Sequence, residues 1–469
     1  MRMSPAVFLA ALTLTAGCAV GPDYQRPSTV DVSRFKEAEG WVAAAPADEQ
    51  GRGPWWQLFK DPVLDQLAAR VEVSNQNVAA AVAAYAQARA LVREQRANLF
   101  PVVTLDGGAN RGKSGSAGPS GSSGAGRIGN SFQASIGASW EPDVWGRLRR
   151  AADSAGASAD ASAADLASAT LSAQGELATN YFSLRQLDSQ QTLFDSTLAG
   201  FRRSLEITQN RYAAGIAAKT DVLQAQTQLA NAGADQLGLQ RQRAQLEHAI
   251  AVLVGDAPAN FSLAATEWQQ QVPEVPLVVA STLLQRRPDI ASAERRVAAA
   301  NAQIGIARSA YFPKLSLGVS AGSNVSRLGD LFAASTNLWS IGVSAAQLLF
   351  NAGATGARVD GAQAAHQRAV ANYRQTVLAA FANVEDQLSA SRVLLAQQDL
   401  RRQASEAADQ VEQQVLNRYR SGQVGYTEVI TAQATALNAR RALLQALADR
   451  QTTAVALLQS LGGGWRAEP

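Results

Sequence analysis

Two related stretches of sequence decide the organisation of this chain. The first is Arg211-Tyr212-Ala213-Ala214-Gly215, followed by Thr220-Asp221-Val222-Leu223. The second, 207 positions later, is Arg418-Tyr419-Arg420-Ser421-Gly422, followed by Thr427-Glu428-Val429-Ile430. Each copy lies between two long segments with helical periodicity, which predicts a duplicated helical hairpin with one copy at each bend. The glycine of each copy is expected to end its helix in the left-handed conformation.

Helical segments with a period near 3.5 residues flank both bends. The first carries an apolar stripe of Leu166, Thr170, Ala173, Leu177, Tyr181, Leu184, Leu187, Phe194, Leu198, Phe201 and Leu205. The second carries Val370, Tyr373, Val377, Phe381, Val384, Leu388 and Leu395. This period predicts left-handed coiled coils. We place the coiled-coil hairpins at about 147–255 and 353–463.

Four short segments alternate between apolar and small polar residues, as amphipathic strands do. We expect strands at about 101–110, 131–140, 314–323 and 338–347. Five aromatic residues are expected near the strand ends, where interfacial aromatics occur in membranes: Phe100, Phe132, Trp140, Phe312 and Trp339. A Gly/Ser-rich loop, predicted to be extracellular, is expected over 111–129.

The order of these segments divides the chain into two repeats. We predict a first repeat at 61–255, a linker at 256–276, a second repeat at 277–463 and a short tail at 464–469. Asp61 is a good N-cap, and Pro62 follows it at the first helical position. The aromatic cluster within Trp55–Phe59 is interpreted as packing.

The N-terminus reads as an export signal. Arg2, the apolar run 5–14 and the small residues 15–17 have the pattern of a secretory signal peptide, and Cys18 is the only cysteine. We predict a lipoprotein signal at 1–17, acylation of Cys18 with palmitate, and a periplasmic arm at 18–60. Thr15 departs from the usual lipobox, so the alternative is an ordinary signal peptide with an incidental cysteine.

Composition argues against several functional classes. The 42 basic and 39 acidic residues give a net charge of only +3, which makes nucleic acid a poor candidate partner. His248 and His366 are far apart in sequence, so a zinc site is not expected. The glycines of 121–126 lack a flanking strand–helix unit, as a phosphate-binding loop would require. The sequence predicts no enzymatic activity, no metal and no cofactor.

Four amphipathic strands are too few for a closed barrel with a lumen, and they leave two unpaired edges. Both features are satisfied if several copies share one barrel, with the aliphatic face toward lipid and the Ser/Gly/Gln face toward water. The alternative is a soluble sheet whose apolar face packs on helices.

The whole chain after the signal resembles outer-membrane efflux lipoproteins of the TolC/OprM type, the NodT-like outer membrane factors. The resemblance rests on Cys18 with Gly21–Tyr24, on Trp55-Trp56 with Asp61–Leu64, on Arg287–Ile290 and on the paired bends. It implies an α+β membrane protein: a homotrimer with a shared 12-stranded outer-membrane β-barrel, continued by a periplasmic α-helical barrel. It also implies a periplasmic membrane-fusion adaptor and an inner-membrane pump of the RND type as partners.

The resemblance assigns the bends to the periplasmic tip. It implies adaptor docking at six residues: Arg211, Tyr212, Gly215, Arg418, Tyr419 and Gly422. It also implies an aperture gate at Asp221 and Glu428, although each acid is equally suited to favour a helix N-terminus. The basic residue that some family members carry in the second bend is absent, because Val424 and Gly425 stand there.

The implied function is a passive outer-membrane exit duct that exports drugs or other small toxic compounds. Two alternatives remain open from the sequence. One is the outer-membrane channel of a type I protein secretion system. The other is a periplasmic coiled-coil scaffold lipoprotein that conducts nothing.

Overall fold

The computed structural model describes residues 20–29, 35–37, 54–114, 127–273 and 287–463. The first repeat begins with α1 (Pro62–Ser74) and α2 (Gln76–Ala97). It continues with strands β1 (Val102–Ser114) and β2 (Arg127–Trp140), and ends with α3 (Arg147–Ala213) and α4 (Lys219–Leu253).

The second repeat has the same plan. It consists of α5 (Pro288–Ser309), β3 (Lys314–Val325), β4 (Asn337–Ala346), α6 (Ala354–Arg420) and α7 (Tyr426–Ser460). Both α3 and α6 have 67 residues, and both α4 and α7 have 35 residues. The predicted duplicated strand-hairpin and long-helix repeat of the α+β class is confirmed.

The four strands form one antiparallel sheet in the order β1-β2-β3-β4. Its register aligns the alternating patterns, so that one row across the sheet is Val103, Ala138, Val319 and Ile341. The adjacent row on the other face is Thr104, Gly137, Ser320 and Ser340. Cross-strand hydroxyl pairs stabilise the polar face, with 2.8 Å between Ser316 and Ser344 and 2.9 Å between Ser320 and Ser340.

The aliphatic face of this sheet is exposed within the chain. Leu105 and Ile341 expose 81% and 70% of their surface, and every residue of β4 is exposed. The alternative of a soluble sheet packed on helices is therefore wrong for the described part of this chain. Large apolar side chains on an uncovered face mark a surface that meets lipid or another molecule.

Two details of the strand prediction are wrong. Strands β1 and β2 extend to Ser114 and from Arg127, so both ends of the predicted loop 111–129 are strand. Phe132 consequently lies inside β2 rather than near its end. The ladder continues because backbone pairing does not need alternating side chains, as between Arg111 and Asn130. Residues 115–126, the rest of that loop, lie outside the described residues.

The chain folds as two units. The first comprises Met1–Ser28, Tyr85–Ser162 and Ala293–Tyr373. In it, Gly21 lies so close to Gly305 that a Cβ on Gly21 would stand 2.6 Å from the Gly305 Cα. Tyr24 donates a hydrogen bond to Glu294 at 3.2 Å, and Arg26 pairs with the same carboxylate at 3.1 Å. These contacts fasten the described part of the N-terminal arm onto α5.

The second unit comprises Thr29–Ala84, Ala163–Ser292 and Arg374–Pro469. Asp61 caps α1 as predicted, because its carboxylate accepts hydrogen bonds from the backbone N–H groups of Val63 and Leu64. Trp55, Trp56 and Phe59 are buried, which confirms the packing interpretation of this cluster.

The apolar stripe of α3 is mostly buried in this second unit, which agrees with the predicted helix packing. One core cluster consists of Leu187, Phe194, Leu198, Phe201, Ala232, Leu239 and Leu437. On α6 the prediction is wrong at Leu395, which exposes 51% of its surface, whereas Gln398 is buried. A straight helix drifts by about 20° per heptad, so a strict seven-residue step leaves the buried face.

A buried ionic cluster joins α3, α4 and the segment after α4. Asp188 accepts hydrogen bonds from Arg185 at 2.9 Å and from Arg243 at 2.7 Å. The two guanidinium groups also donate to the backbone carbonyls of Ala264 and Leu263. Arg185 exposes only 1% of its surface, so its charge depends on these partners.

Across the residues that the structure describes, no helix is long and apolar enough to span a membrane.

Candidate functional site

The two bends share one backbone geometry. Gly215 has a φ of 73° and Gly422 a φ of 75°. At the first bend the Gly215 N–H donates to the Tyr212 carbonyl at 2.9 Å, and the Ile216 N–H donates to the Arg211 carbonyl at 2.8 Å. This pair of bonds is a Schellman motif, which satisfies the last carbonyls of a helix.

The second bend repeats the same bonds. The Gly422 N–H donates to the Tyr419 carbonyl at 3.0 Å, and the Gln423 N–H donates to the Arg418 carbonyl at 2.9 Å. The predicted left-handed glycines are therefore confirmed at both bends. The shared spacing of Arg, Tyr and Gly places the same side chains at the same positions of the last helical turn.

Gly422→Val is expected to loosen the second bend, since a Cβ in the left-handed region costs about 1–2 kcal/mol. A Cβ at this position meets only the Arg211 guanidinium, at 3.9 Å, so the cost is backbone strain and not a clash. Amide hydrogen exchange of residues 418–426 should become about 5- to 30-fold faster. The control is Gly361→Val in the interior of α6, where a Cβ meets nothing within 4 Å. Equal exchange in both variants would contradict the assignment.

Arg211 joins the two bends within the second unit. Its guanidinium donates to the Tyr419 carbonyl at 2.8 Å and lies 4.7 Å from the centre of the Tyr419 ring. The Tyr419 hydroxyl lies 3.2 Å from the Thr208 hydroxyl. Tyr419 is only 3% exposed, so the first bend encloses its side chain. We call this packing the Arg211–Tyr419 contact.

An apolar cluster surrounds the Tyr419 side chain of the Arg211–Tyr419 contact. The rings of Tyr419 and Tyr426 are 5.4 Å apart, and Ala225 and Val429 are buried with them. Burial, with the nearby Tyr419 and Asp221, raises the pKa of Tyr426 to about 12. Tyr426 therefore stays neutral at physiological pH. The flanking residues are also apolar: Leu205, Ile207, Val415, Leu416, Val424 and Ile430.

The two acids predicted to gate the aperture occupy equivalent positions. Asp221 lies in the first turn of α4 and is half-buried, and Glu428 lies in the first turn of α7 and is exposed. Neither carboxylate has an ion-pair partner among the described residues. Their position near a helix N-terminus is favourable by itself, so both interpretations of these acids stay predictions.

Val424 and Gly425, where the resemblance implies a basic residue in some family members, have structural roles. Val424 packs against the apolar cluster, and Gly425 is the residue that precedes α7. A gating salt bridge from these positions is not available to this chain.

The two bends differ in which of their Arg and Tyr side chains are exposed to solvent. Tyr212 is 47% exposed and Arg418 is also exposed, although their counterparts Tyr419 and Arg211 pack on each other. Of the six residues predicted to dock the adaptor, Tyr419 is thus enclosed. The sequence did not predict the contacts that Thr208 and Tyr426 make with Tyr419. The only signal for Tyr426 was the mismatch between the bends, because Lys219 stands at its position in the first bend.

Within the described ranges, no three His, Cys, Asp or Glu side chains lie close enough to hold a metal ion. His248 and His366 are helical residues of α4 and α6.

Comparison with known proteins decides the family. A family model described as outer membrane efflux protein matches residues 67–256 and 279–463, which correspond to the two repeats. The chain belongs to the outer membrane efflux protein family. This confirms the predicted resemblance and identifies the chain as an outer-membrane efflux protein.

Individual relatives of this efflux protein match over nearly their full length. It is 32% identical over 469 residues to the toluene efflux pump outer membrane protein TtgC of Pseudomonas putida, covering 97% of this chain and 96% of that protein. It is 31% identical over 474 residues to the pyoverdine export outer membrane protein OpmQ of Pseudomonas aeruginosa, covering 100% and 98%. The solved outer-membrane channel OprN has a TM-score of 0.87 at 30% identity, covering 96% of this chain and all of OprN.

Proposed function

We propose that this efflux protein is the passive exit duct of a tripartite pump. In this proposal three copies close one 12-stranded barrel in the outer membrane, and their helices continue as a tunnel in the periplasm. A periplasmic adaptor joins the duct to an inner-membrane transporter of the RND type. The duct carries out no covalent chemistry and needs no cofactor.

The observation that carries this proposal is the two-faced sheet. Among the residues that the structure describes, nothing covers its aliphatic face or its two edge strands, β1 and β4. If neighbouring copies continue the sheet around a closed barrel, each edge strand pairs with a strand of the next copy and the aliphatic face turns toward lipid. The opposite face presents small polar groups such as Ser320 and Ser340, which suit a water-filled lumen.

Small toxic compounds are the proposed cargo. TtgC is named for toluene and OpmQ for pyoverdine, so similar outer-membrane proteins serve chemically unlike cargoes. The polar face of the sheet carries hydroxyls and glycines that would select no particular compound. Cargo choice therefore belongs to the transporter in this proposal.

Export is tested by deleting the gene and measuring intracellular accumulation of a fluorescent dye that the cognate pump exports. We expect dye to accumulate and the plasmid-borne gene to restore export. Unchanged accumulation of every pump substrate would contradict the proposal. Loss of a secreted protein with normal dye export would favour the type I secretion alternative, and normal export of both would favour the scaffold.

The bends are the proposed adaptor-facing tip. Tyr212, Gly215, Arg418 and Gly422 are exposed there and suit docking. Arg211 and Tyr419 act instead by holding the two bends together, since their side chains pack on each other. We keep Asp221 and Glu428 as gate residues because several copies around one axis would bring their charges together.

Glu428→Gln is expected to raise basal channel opening and to reduce the preference for cations, because a ring of carboxylates favours cations. Single-channel recording with K⁺ and Cl⁻ gradients measures both quantities. The control is Glu406→Gln, an exposed acid in the interior of α6. If Glu428→Gln behaves like this control, Glu428 is not part of the gate.

Lipidation of Cys18 is the remaining part of the proposal, and Cys18 lies outside the described residues. Cys18→Ser is expected to remove the acyl chains, which mass spectrometry of the mature N-terminus detects directly. The strands should still insert, because the anchor is not part of the barrel. An unmodified Cys18 in the mature wild-type protein would overturn this assignment.

A further inference from the structure

The end of the β1–β2 hairpin that lies farthest from helices α2 and α3 is positively charged. The sequence over 107–140 contains three charged residues, all of them basic: Arg111, Lys113 and Arg127. The loop sequence 115–126 contributes no charge of either sign. Strand β4, at the other edge of the sheet, also has no charged residue. The positive charge at this hairpin end therefore has no carboxylate within the hairpin to balance it.

Arg111 and Lys113 lie on the aliphatic face of the sheet. Side chains alternate along a strand, so both share the face of Val103. The register places Ile128, which is 62% exposed, directly opposite Lys113 on the same face. Both basic side chains are exposed, and among the residues that the structure describes neither has an ion-pair partner.

The order of residues along this face is that of a membrane boundary. Leu105, near the start of β1, exposes 81% of its surface. Phe132 lies farther along the sheet, opposite Ala109. Arg111 and Lys113 come next. Apolar, aromatic and then charged residues follow one another in the same way from the hydrocarbon of a membrane to its headgroups.

Strand geometry places both cations at the height of the headgroups. Arg111 is eight residues beyond Val103, which is about 27 Å along the strand. At a tilt of about 40° this corresponds to about 20 Å along the membrane normal, and Lys113 lies about 5 Å higher. The apolar band of a membrane barrel is about 25 Å tall. The two side chains therefore lie at its border, where a charge costs little.

We propose that Arg111 and Lys113 bind the phosphate groups of lipid headgroups in the outer leaflet of the membrane. The inference rests on the membrane barrel proposed above, in which the hairpin end points away from the periplasm. The two Cα atoms are about 7 Å apart on one face, so two phosphate groups or two oxygens of one group are within reach.

The chemistry of the two side chains favours an anionic glycolipid over a zwitterionic lipid. A guanidinium group donates two parallel hydrogen bonds to a phosphate, and an ammonium group acts as a compact charge beside it. Ile128, next to Lys113, offers an apolar contact to the upper part of an acyl chain. A zwitterionic headgroup fits less well, because the hairpin end has no carboxylate for the cationic part of that headgroup.

The test is native mass spectrometry of the purified full-length protein in a neutral detergent, with diphosphoryl lipid A or phosphatidylcholine added. Wild-type protein should retain lipid A more tightly than phosphatidylcholine. Arg111→Gln combined with Lys113→Gln should weaken lipid A binding by roughly 30-fold, because each basic side chain at an anionic membrane surface contributes roughly a factor of five. The matched control is Arg358→Gln combined with Arg368→Gln, two exposed positions of α6.

A second pair of variants separates charge from folding. Arg111→Lys combined with Lys113→Arg keeps both charges and should retain lipid A. Wild-type binding of lipid A should also weaken with added salt, whereas that of phosphatidylcholine should not. The same spectra show whether each variant is assembled.

Three results would overturn the inference: equal retention of the two lipids, unchanged lipid A binding in the Arg111→Gln and Lys113→Gln variant, or equal loss in the α6 control. Displacement of lipid A by an equal concentration of inorganic phosphate would also overturn it, since the site would then bind free phosphate. If the wild-type protein assembles and exports dye without a lipid preference, only this inference fails. If it does not assemble, the proposed duct fails with it.

Discussion

Val319→Arg is expected to prevent stable insertion of this protein into the outer membrane. Val319 lies on the aliphatic face of the sheet, in a row with Ala138 and Ile341. A lipid-facing arginine in a membrane barrel costs about 2–4 kcal/mol at the bilayer midplane. Each copy would add this cost to a shared barrel. The measurement is the fraction of protein that resists extraction of purified outer membranes with urea.

The adjacent residue provides the control. Ser320→Arg places the same side chain on the opposite face, next to Ser340. Because that face is assigned to water, this variant should insert normally and alter conductance instead. Normal insertion of Val319→Arg together with failure of Ser320→Arg would mean that the faces are reversed. Equal insertion of both variants would mean that neither face meets lipid.

Asp188→Asn is expected to destabilise the second unit by about 3–5 kcal/mol, the usual cost of removing one partner of a buried ion pair. The variant keeps the size of the side chain but leaves Arg185, which is 1% exposed, without its carboxylate. Arg243 loses the same partner. Thermal unfolding of the purified protein, followed by far-ultraviolet circular dichroism, should show a Tm several degrees lower.

Asp399→Asn is the matched control for this variant. Asp399 pairs with Arg402 one turn along α6, and both side chains are more than half exposed. An exposed pair of this kind contributes roughly 0.2–1 kcal/mol, so its Tm should hardly change. A Tm for Asp188→Asn as high as that of the control would show that water reaches the Arg185–Asp188 pair.

Most of the fold is visible in local sequence patterns. Alternation with period two placed all four strands, and the repeated Arg-Tyr-x-x-Gly motif placed both bends, because each pattern acts through residues close in sequence. Strand ends were less accurate. The ladder past Asn110 is held by backbone bonds and carries no apolar alternation that a sequence pattern could reveal.

Contacts between distant residues could not be predicted in the same way. Asp188 and Arg243 are 55 positions apart, and nothing local distinguishes their charges from those of a solvated helix face. At the bends the repeats look alike in sequence, yet Tyr419 is buried and Tyr212 is exposed. Tyr419 is buried because Arg211 of the first bend packs on its ring, a contact between residues 208 positions apart.

Single-channel recording in planar bilayers tests most directly whether copies of this chain form a water-filled duct across the outer membrane. The purified Glu428→Gln variant is the suitable protein, because it is expected to open without an adaptor. We expect discrete conductance steps that disappear with Val319→Arg, which should not insert. Bilayers that contain inserted, assembled protein and never conduct would contradict the proposed duct.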